Sequence, residues 1–215
     1  MSRVIDHFMV GAARLDVLQA QMQDLLAVAL QPGGRHPDLG THNALLGLGG
    51  SVYLEFIAPD PAAAPPSSPL AQTLAGMAGP SLCRFIVQGD SAEFERLADI
   101  YADEGWRAPV YDLGRITPEG DRLSWRLMIP EAGGAALFAP YVIDWQQTEH
   151  PSRRLHDSRC RWLAAEAGHP QADWLRRLWA RLDVDIPVVR ATRPYLQVRL
   201  ATPEGEVVLV SGMAG

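Results

Sequence analysis

Two short apolar runs each carry one residue able to hold a metal or move a proton. Val4-Ile5-Asp6-His7-Phe8-Met9-Val10 contains a histidine, and Ser51-Val52-Tyr53-Leu54-Glu55-Phe56-Ile57 contains a glutamate. Both runs have the composition of buried strands. An imidazole or carboxylate placed there costs free energy unless a hydrogen bond, a counter-charge or a metal satisfies it. Imidazole is a common metal ligand and titrates near neutral pH. A glutamate beside it can ligate an ion or take a proton next to a carbonyl. Alternation along a strand puts Ile5, His7 and Met9 on one face, and Tyr53, Glu55 and Ile57 on one face of the other strand. The competing reading is structural: a core histidine bonded to a carbonyl, and a glutamate paired with an arginine such as Arg84.

Other residues qualify as ligand contacts. Arg84 shares a strand face with Leu82 and Ile86. It either neutralises Glu55 or Asp144 or grips a carboxylate or phosphate on a ligand. In Thr41-His42-Asn43-Ala44 one of His42 and Asn43 must point inward by alternation, and either can bond a polar ligand. Asp144 closes a strand and is either a cleft residue or a turn former. Trp125, Trp145 and Tyr53 are candidate cleft walls. His36 reads as a loop residue exposed to solvent, and His150 and His156 as part of a loop bordering the cleft.

The elements that must position these groups repeat. The first run is followed by Leu15, Leu18, Met22, Leu25 and Leu26 at helical spacing. Pro32-Gly33-Gly34 stops any continuation, a strand opens at Gly40-Thr41, and Gly49-Gly50 marks a hairpin into Val52 to Ile57. With one further short strand the order is strand, helix, strand, strand, strand over residues 1–58. Residues 59–80 open with the proline-rich PDPAAAPPSSP and read as a linker. Over 81–148 the order returns: strand Ser81 to Gln88, a helix through Phe94, Leu97, Ile100 and Tyr101, then strands at Val110 to Ile116, Arg122 to Ile129 and Ala136 to Trp145. Residues 149–215 are a weaker echo, with a strand at Arg159 to Ala165, a helix through Leu175, Leu178 and Trp179 and a closing hairpin, packed on the second unit. Self-similarity on this scale implies duplication.

Composition narrows the chemistry. All 19 basic residues are arginine, which excludes Schiff-base and phosphate-loop lysine mechanisms. A net charge of −6 without a basic stripe argues against nucleic acid. No run approaches the ~20 apolar residues that span a bilayer. The absence of a signal-like N-terminus makes a cytoplasmic location the expectation, with Cys83 and Cys160 as reduced core thiols.

The duplicated strand–helix–strand–strand–strand unit, with His on its first strand and Glu on its last, resembles the vicinal oxygen chelate superfamily of glyoxalases, extradiol dioxygenases and bleomycin-resistance proteins. IDHFMVGAARLD, GTHNALLGLG, YLEFIAPDP and IDWQQTEHPS resemble its bacterial glyoxalase-like proteins in particular. The resemblance implies an α+β fold of tandem βαβββ modules curling mixed sheets around a cleft, with a partial third βαββ module at the C-terminus. It implies His7 and Glu55 as ligands of a divalent metal (zinc, nickel, manganese or iron) and as catalytic residues. Around them Arg84, His42, Asn43, Asp144, Trp125 and Tyr53 would contact a small-molecule ligand, and a homodimer is the expected assembly. The second-module counterparts fall on or near Arg84 and Asp144, and arginine cannot ligate a cation. Isomerase or lyase chemistry on an oxygenated metabolite is the implied function, and sequestration of a small molecule without turnover is the alternative.

Overall fold

A computed structural model describes residues 2–63, 68–117 and 120–212. The first module runs β1 (Ile5–Gly11), α1 (Leu15–Leu26), β2 (Gln31–His36), β3 (Thr41–Gly47) and β4 (Tyr53–Pro59). A short helix, α2 (Pro69–Ala75), lies within the stretch read as linker, with the Ser68 hydroxyl accepting from the Ala71 N–H at its start. The second module runs β5 (Ser81–Gln88), α3 (Phe94–Asp103), β6 (Val110–Ile116), β7 (Arg122–Met128) and β8 (Tyr141–Asp144). The eight strands close into one barrel in the order β1-β4-β3-β2-β6-β7-β8-β5. Each module contributes a half-barrel with its fourth strand beside its first and parallel to it.

Alternation divides the apolar side chains into two sets. Phe8, Val10, Leu54, Phe56, Phe85 and Val87 face outward beneath α1 and α3, where Leu18, Leu26, Leu97 and Tyr101 meet them. Burying each large side chain is worth about 1.5–3 kcal/mol. Met9, Ile57, Ile86, Leu113, Trp125, Leu127, Tyr141 and Ile143 face the barrel interior.

Two details depart from the strand reading. Pro32-Gly33-Gly34 lies inside β2, not between elements. Proline is tolerated because the β2–β3 ladder bulges between Pro32 and Gly34, and because β2 meets β6 only through Arg35 and Ile116. A Cβ on Gly34 would stand 2.2 Å from the Ile116 carbonyl oxygen, so glycine is what lets the two half-barrels close here. The last strand of the second module is only four residues long, since Gly133–Phe138 forms 3-10 turns before it. The carbonyls of Phe138 and Pro140 accept from Trp179 Nε1 and the Tyr101 hydroxyl instead of from a ladder.

The C-terminal unit comprises β9 (Arg161–His169), α4 (Ala172–Arg181), β10 (Val188–Arg190), β11 (Tyr195–Thr202) and β12 (Gly205–Val210). It echoes the modules in element order but forms its own sheet, β10-β9-β11-β12, with β10 parallel to β9. Phe8 of β1 meets Trp162 edge-on, Trp106 meets Trp174, and Arg3 donates to the Leu182 carbonyl. The unit therefore packs on the outer layer of both modules, away from the barrel interior. Among the described residues no helix is long and apolar enough to cross a membrane.

Candidate active site

His7 and Glu55 come together inside the barrel. Strand β1 lies against β4 with His7 opposite Tyr53 and Met9 opposite Glu55. His7 Nε2 lies 3.4 Å from Glu55 Oε2, and the Tyr53 ring stacks on the imidazole with centroids 4.6 Å apart. Asn43 Nδ2 donates to Glu55 Oε1 at 2.5 Å, and His36 Nε2 stands 3.9 Å from the same oxygen. His36 is bonded in turn to Thr41 Oγ1 at 3.0 Å. Both His36 ring contacts are met when Nδ1–H donates to Thr41 and Nε2 accepts from Asn43, an assignment made from the network.

Behind His7 sits Asp6. The β1–β5 register advances from Ile5↔Val87 to His7↔Ile86, so Asp6 is the extra residue of a β-bulge. A bulge re-aims a side chain, and here it turns Asp6 inward beside His7. Asp6 Oδ1 is 2.6 Å from His7 Nδ1, while Oδ2 receives Trp145 Nε1 and His150 Nε2 at 2.9 Å and Gln88 Nε2 at 3.1 Å. Asp6 has no exposed surface. A buried carboxylate with four donors is paired and hydrogen-bonded as burial demands.

The charges follow from these contacts. Burial opposes ionisation of His7, but the bonds to Asp6 and Glu55 outweigh it and raise its pKa to about 9. Burial likewise disfavours the Glu55 carboxylate, and the His7 contact overrides it, bringing Glu55 to about 2. Asp6 is held below the usual carboxylate range by His150 and His7 against its burial. For His36 burial outweighs the pull of the Glu55 charge and lowers the pKa to about 4, so it is neutral. An imidazolium thus stands between two carboxylates, with a neutral imidazole across Glu55.

The cavity these groups enter is small, about 50 Å³, room for the reacting end of a small molecule. Its first-module wall is polar, with His7, His36, Asn43, Tyr53 and Glu55. Its second-module wall is apolar, with Ile86, Trp125, Leu127, Tyr141 and Ile143, and Arg115 also reaches the lining.

The structure places His7, Glu55, Asn43, Tyr53 and Trp125 in the lining of one cavity. Two expected contacts are corrected. His42 neighbours Asn43 on β3 and therefore faces the opposite side, outside the lining. Asp144 is turned away: its carboxylate takes the Ser91 backbone N–H and hydroxyl and the Gln146 N–H, a turn-forming role. Arg84 pairs with neither Glu55 nor Asp144; it lines a second cavity. His36, read as an exposed loop residue, is buried in β2. Its loop reading came from Pro32-Gly33-Gly34, whereas Asp6 and His150 lie 144 positions apart and no local pattern joins them.

The ligand set of a divalent metal is half present. Ile86 stands opposite His7, and the inward residue of β8 is Ile143, so the second module offers no donor at either place. Among the described residues no group of three or more His, Cys, Asp or Glu is arranged to hold an ion. The residues do not fit such a centre.

Comparison with known proteins agrees with this architecture. The glyoxalase-like domain family matches residues 5–182. The chain belongs to that family. The fold of this glyoxalase-like protein is also seen in a hypothetical protein from Staphylococcus aureus, at 13% identity over 98% of this chain and 85% of that one, with a TM-score of 0.59. A methylmalonyl-CoA epimerase from Mycobacterium tuberculosis aligns at 21% identity over 66% of this chain and 88% of its own, TM-score 0.45. One from Streptomyces coelicolor aligns at 20% over 70% and 100%, TM-score 0.47. No curated protein matches the chain.

The pKa shifts in this glyoxalase-like site set a stability profile. His7 keeps its proton to about pH 9 in the fold but only to 6.5 when unfolded, so its contribution is full below 6.5 and is lost as pH rises through 9. His36 acts oppositely, remaining neutral to about 4, so stability falls as pH drops from 6.5 towards 4. Glu55 adds a loss as pH falls from 4.5 through 2. Melting temperature is expected to peak near pH 6.5. Calorimetric melts across pH are expected to show His7→Gln flattening the alkaline limb and His36→Gln the acid limb; unchanged limbs would refute these assignments.

Gly33 supplies the space Asn43 needs. A Cβ there would lie 2.0 Å from Asn43 Oδ1 and 2.8 Å from its Cγ. Gly33→Ala is therefore expected to push Asn43 off Glu55 and to raise the Glu55 pKa, which the Asn43 hydrogen bond helps to hold down. The measurement is the Glu55 carboxyl titration by NMR, where an unchanged value would refute the contact, with circular dichroism to show that the barrel persists.

Proposed function

We propose that this protein is a glyoxalase-like enzyme that moves a proton beside a carbonyl of a small oxygenated metabolite, an isomerase- or lyase-type reaction. The reading rests on one observation: the His7 imidazolium and the Glu55 carboxylate face each other at 3.4 Å inside a cavity whose second-module wall is mainly apolar. That separation exceeds the ~2.7–2.9 Å of a tight charge-assisted bond. A carbonyl oxygen can replace Glu55 as acceptor for His7 Nε2–H, and Glu55 then loses the contact that holds its pKa near 2 and becomes a stronger base.

Glu55 takes a proton from the carbon next to the carbonyl. The electron pair of that C–H bond forms the carbon–carbon double bond, and the carbonyl oxygen takes its proton from His7. Asn43 holds the second oxygen of Glu55, so the free oxygen is presented to the substrate. In a 2-hydroxy carbonyl compound isomerisation follows when Glu55 returns its proton to the former carbonyl carbon while the α-hydroxyl gives its proton back to His7 and becomes the new carbonyl. In the lyase outcome the enol O–H returns its proton to His7, the carbonyl re-forms, the bond to a β-substituent breaks, and that group leaves with the proton held by Glu55. The apolar wall lowers the local dielectric and strengthens both charge interactions.

The test is exchange in D2O. A panel of 2-oxoaldehydes, their thiol adducts and 2-hydroxy ketones is incubated with enzyme, and loss of the α-proton signal is followed by NMR. Exchange that disappears with Glu55→Gln supports the reading. Saturable binding across the panel with no exchange in any member would sink it and favour the sequestering alternative, which the apolar second-module wall suits.

A further inference from the structure

The active cavity does not end at its own wall. A second, larger space of about 730 Å³ shares Leu39, Leu70, Ile129 and Tyr141 with it, so these four side chains stand between an inner chamber and an outer vestibule. Arg84 lines the vestibule. Arg84 pairs with Met9 and shares the interior face of Ile86, and just before it a second β-bulge takes the register to Val10↔Leu82, leaving Cys83 as the extra residue of β5. Cys83 packs with the interior cluster while Leu82 lies in the outer core, and Arg84 follows Cys83 to the interior side.

The guanidinium is fixed but not neutralised. Nη1 donates to the Cys83 carbonyl at 2.7 Å, Nε reaches the Tyr141 hydroxyl at 3.4 Å, and the group lies 5.6 Å from the centre of the Tyr141 ring. Among the described residues no carboxylate forms an ion pair with it. The vestibule's three acidic residues have arginines of their own: Asp112 with Arg126 at 3.3 Å, Glu131 with Arg107 at 3.9 Å and Asp38 with Arg122 at 4.0 Å. An oriented arginine with open N–H groups, in a cavity, matches an oxyanion.

Register gives the span. Glu55 pairs with Met9, and Met9 pairs with Arg84, so the three lie in one row across β4, β1 and β5. With strands about 4.8 Å apart, the Glu55 and Arg84 backbones are roughly 10 Å apart.

We propose that inner chamber and vestibule form one bipartite site for an anionic oxo compound. Its carbonyl end lies at His7 and Glu55, an apolar segment of several carbons passes Leu39, Leu70, Ile129 and Tyr141, and a terminal carboxylate or phosphate meets Arg84. The carbonyl end rests on the proton-transfer reading above; the anion end does not.

The experiment is titration calorimetry of the full chain with 7-oxooctanoate, its methyl ester and 6-oxoheptyl phosphate. The acid or the phosphate is expected to bind about 10- to 100-fold more tightly than the ester, the scale of a charged hydrogen bond. The preferred anion identifies which oxyanion the site takes. Arg84→Gln is expected to bring both anions down to the ester's affinity, and Arg84→Lys to retain part of the preference. Equal affinity of ester and anions for wild type overturns the proposal, and so does a preference that survives in a folded Arg84→Gln. If Arg84→Gln does not fold, the wild-type comparison and Arg84→Lys decide. Anion-selective binding without α-proton exchange would leave this proposal standing and sink the catalytic one.

Discussion

Glu55→Gln is expected to reduce α-proton exchange about 10²- to 10⁴-fold, the usual worth of a positioned general base, while the barrel stays folded. The amide has nearly the carboxylate's shape, so packing against Tyr53 and Ile57 is kept. Its chemistry fails on one side. Glu55 accepts from Asn43 Nδ2 through Oε1 and faces His7 Nε2 through Oε2. A glutamine has one acceptor and one NH2 group, so a donor meets a donor at one of the two places. His7 also loses one of the two carboxylates that raise its pKa to about 9. Its titration, followed by imidazole NMR, is expected to move down towards neutrality. Two readouts therefore change together, the exchange rate and the His7 pKa. An unchanged His7 titration would show that Glu55 does not sense its proton, and an unchanged exchange rate would remove Glu55 as the base.

Much of this site was legible because β4 and β3 obey strict alternation. The sequence alone puts Tyr53, Glu55 and Ile57 on one face, and Asn43 is one of two residues of which one must point inward. What alternation cannot see is its own interruption. Asp6 owes its direction to a bulge in the β1–β5 ladder, and a bulge is a property of two paired strands that neither sequence announces. Strict alternation placed Asp6 with Phe8 and Val10 in the outer core, where an unpaired carboxylate would be costly; that cost was the one available signal. His36 was hidden for a different reason. Proline and glycine argue against a strand, and the bulge and sparse β2–β6 pairing that admit them depend on partners distant in the chain. Asp144 and His42 show the limit from the other side, since residue type and proximity in sequence to a cleft strand do not fix direction.

Duplication has been used asymmetrically. The first half-barrel holds the histidines and the carboxylate of the cavity lining, and the second presents Ile86, Leu127 and Ile143, with Arg115 as its one charged group there. An apolar partner wall removes competing donors and water, which makes each remaining charge contact stronger and each missing one more damaging. The same wall leaves His7 dependent on carboxylates from its own module for its charge.

That dependence makes Asp6→Asn the most disruptive isosteric change available. Asp6 Oδ2 takes three donors, from Trp145, His150 and Gln88, and Oδ1 takes His7. An asparagine can satisfy the three only by aiming its oxygen at them, which turns its NH2 towards His7 Nδ1 and forces that nitrogen to be an acceptor. His7 is then neutral, with its single proton on Nε2 facing Glu55, and the imidazolium is gone. Removing one partner from a buried charged network costs about 3–5 kcal/mol, which for a chain of this size corresponds to a melting temperature lower by about 10 °C. The pH profile separates this role from mere scaffolding. Wild-type activity is expected to hold until His7 deprotonates near pH 9, whereas in Asp6→Asn the alkaline limb moves to below neutrality. A destabilised Asp6→Asn whose activity still falls only near pH 9 would show that Asp6 supports the fold and not the protonation state of His7.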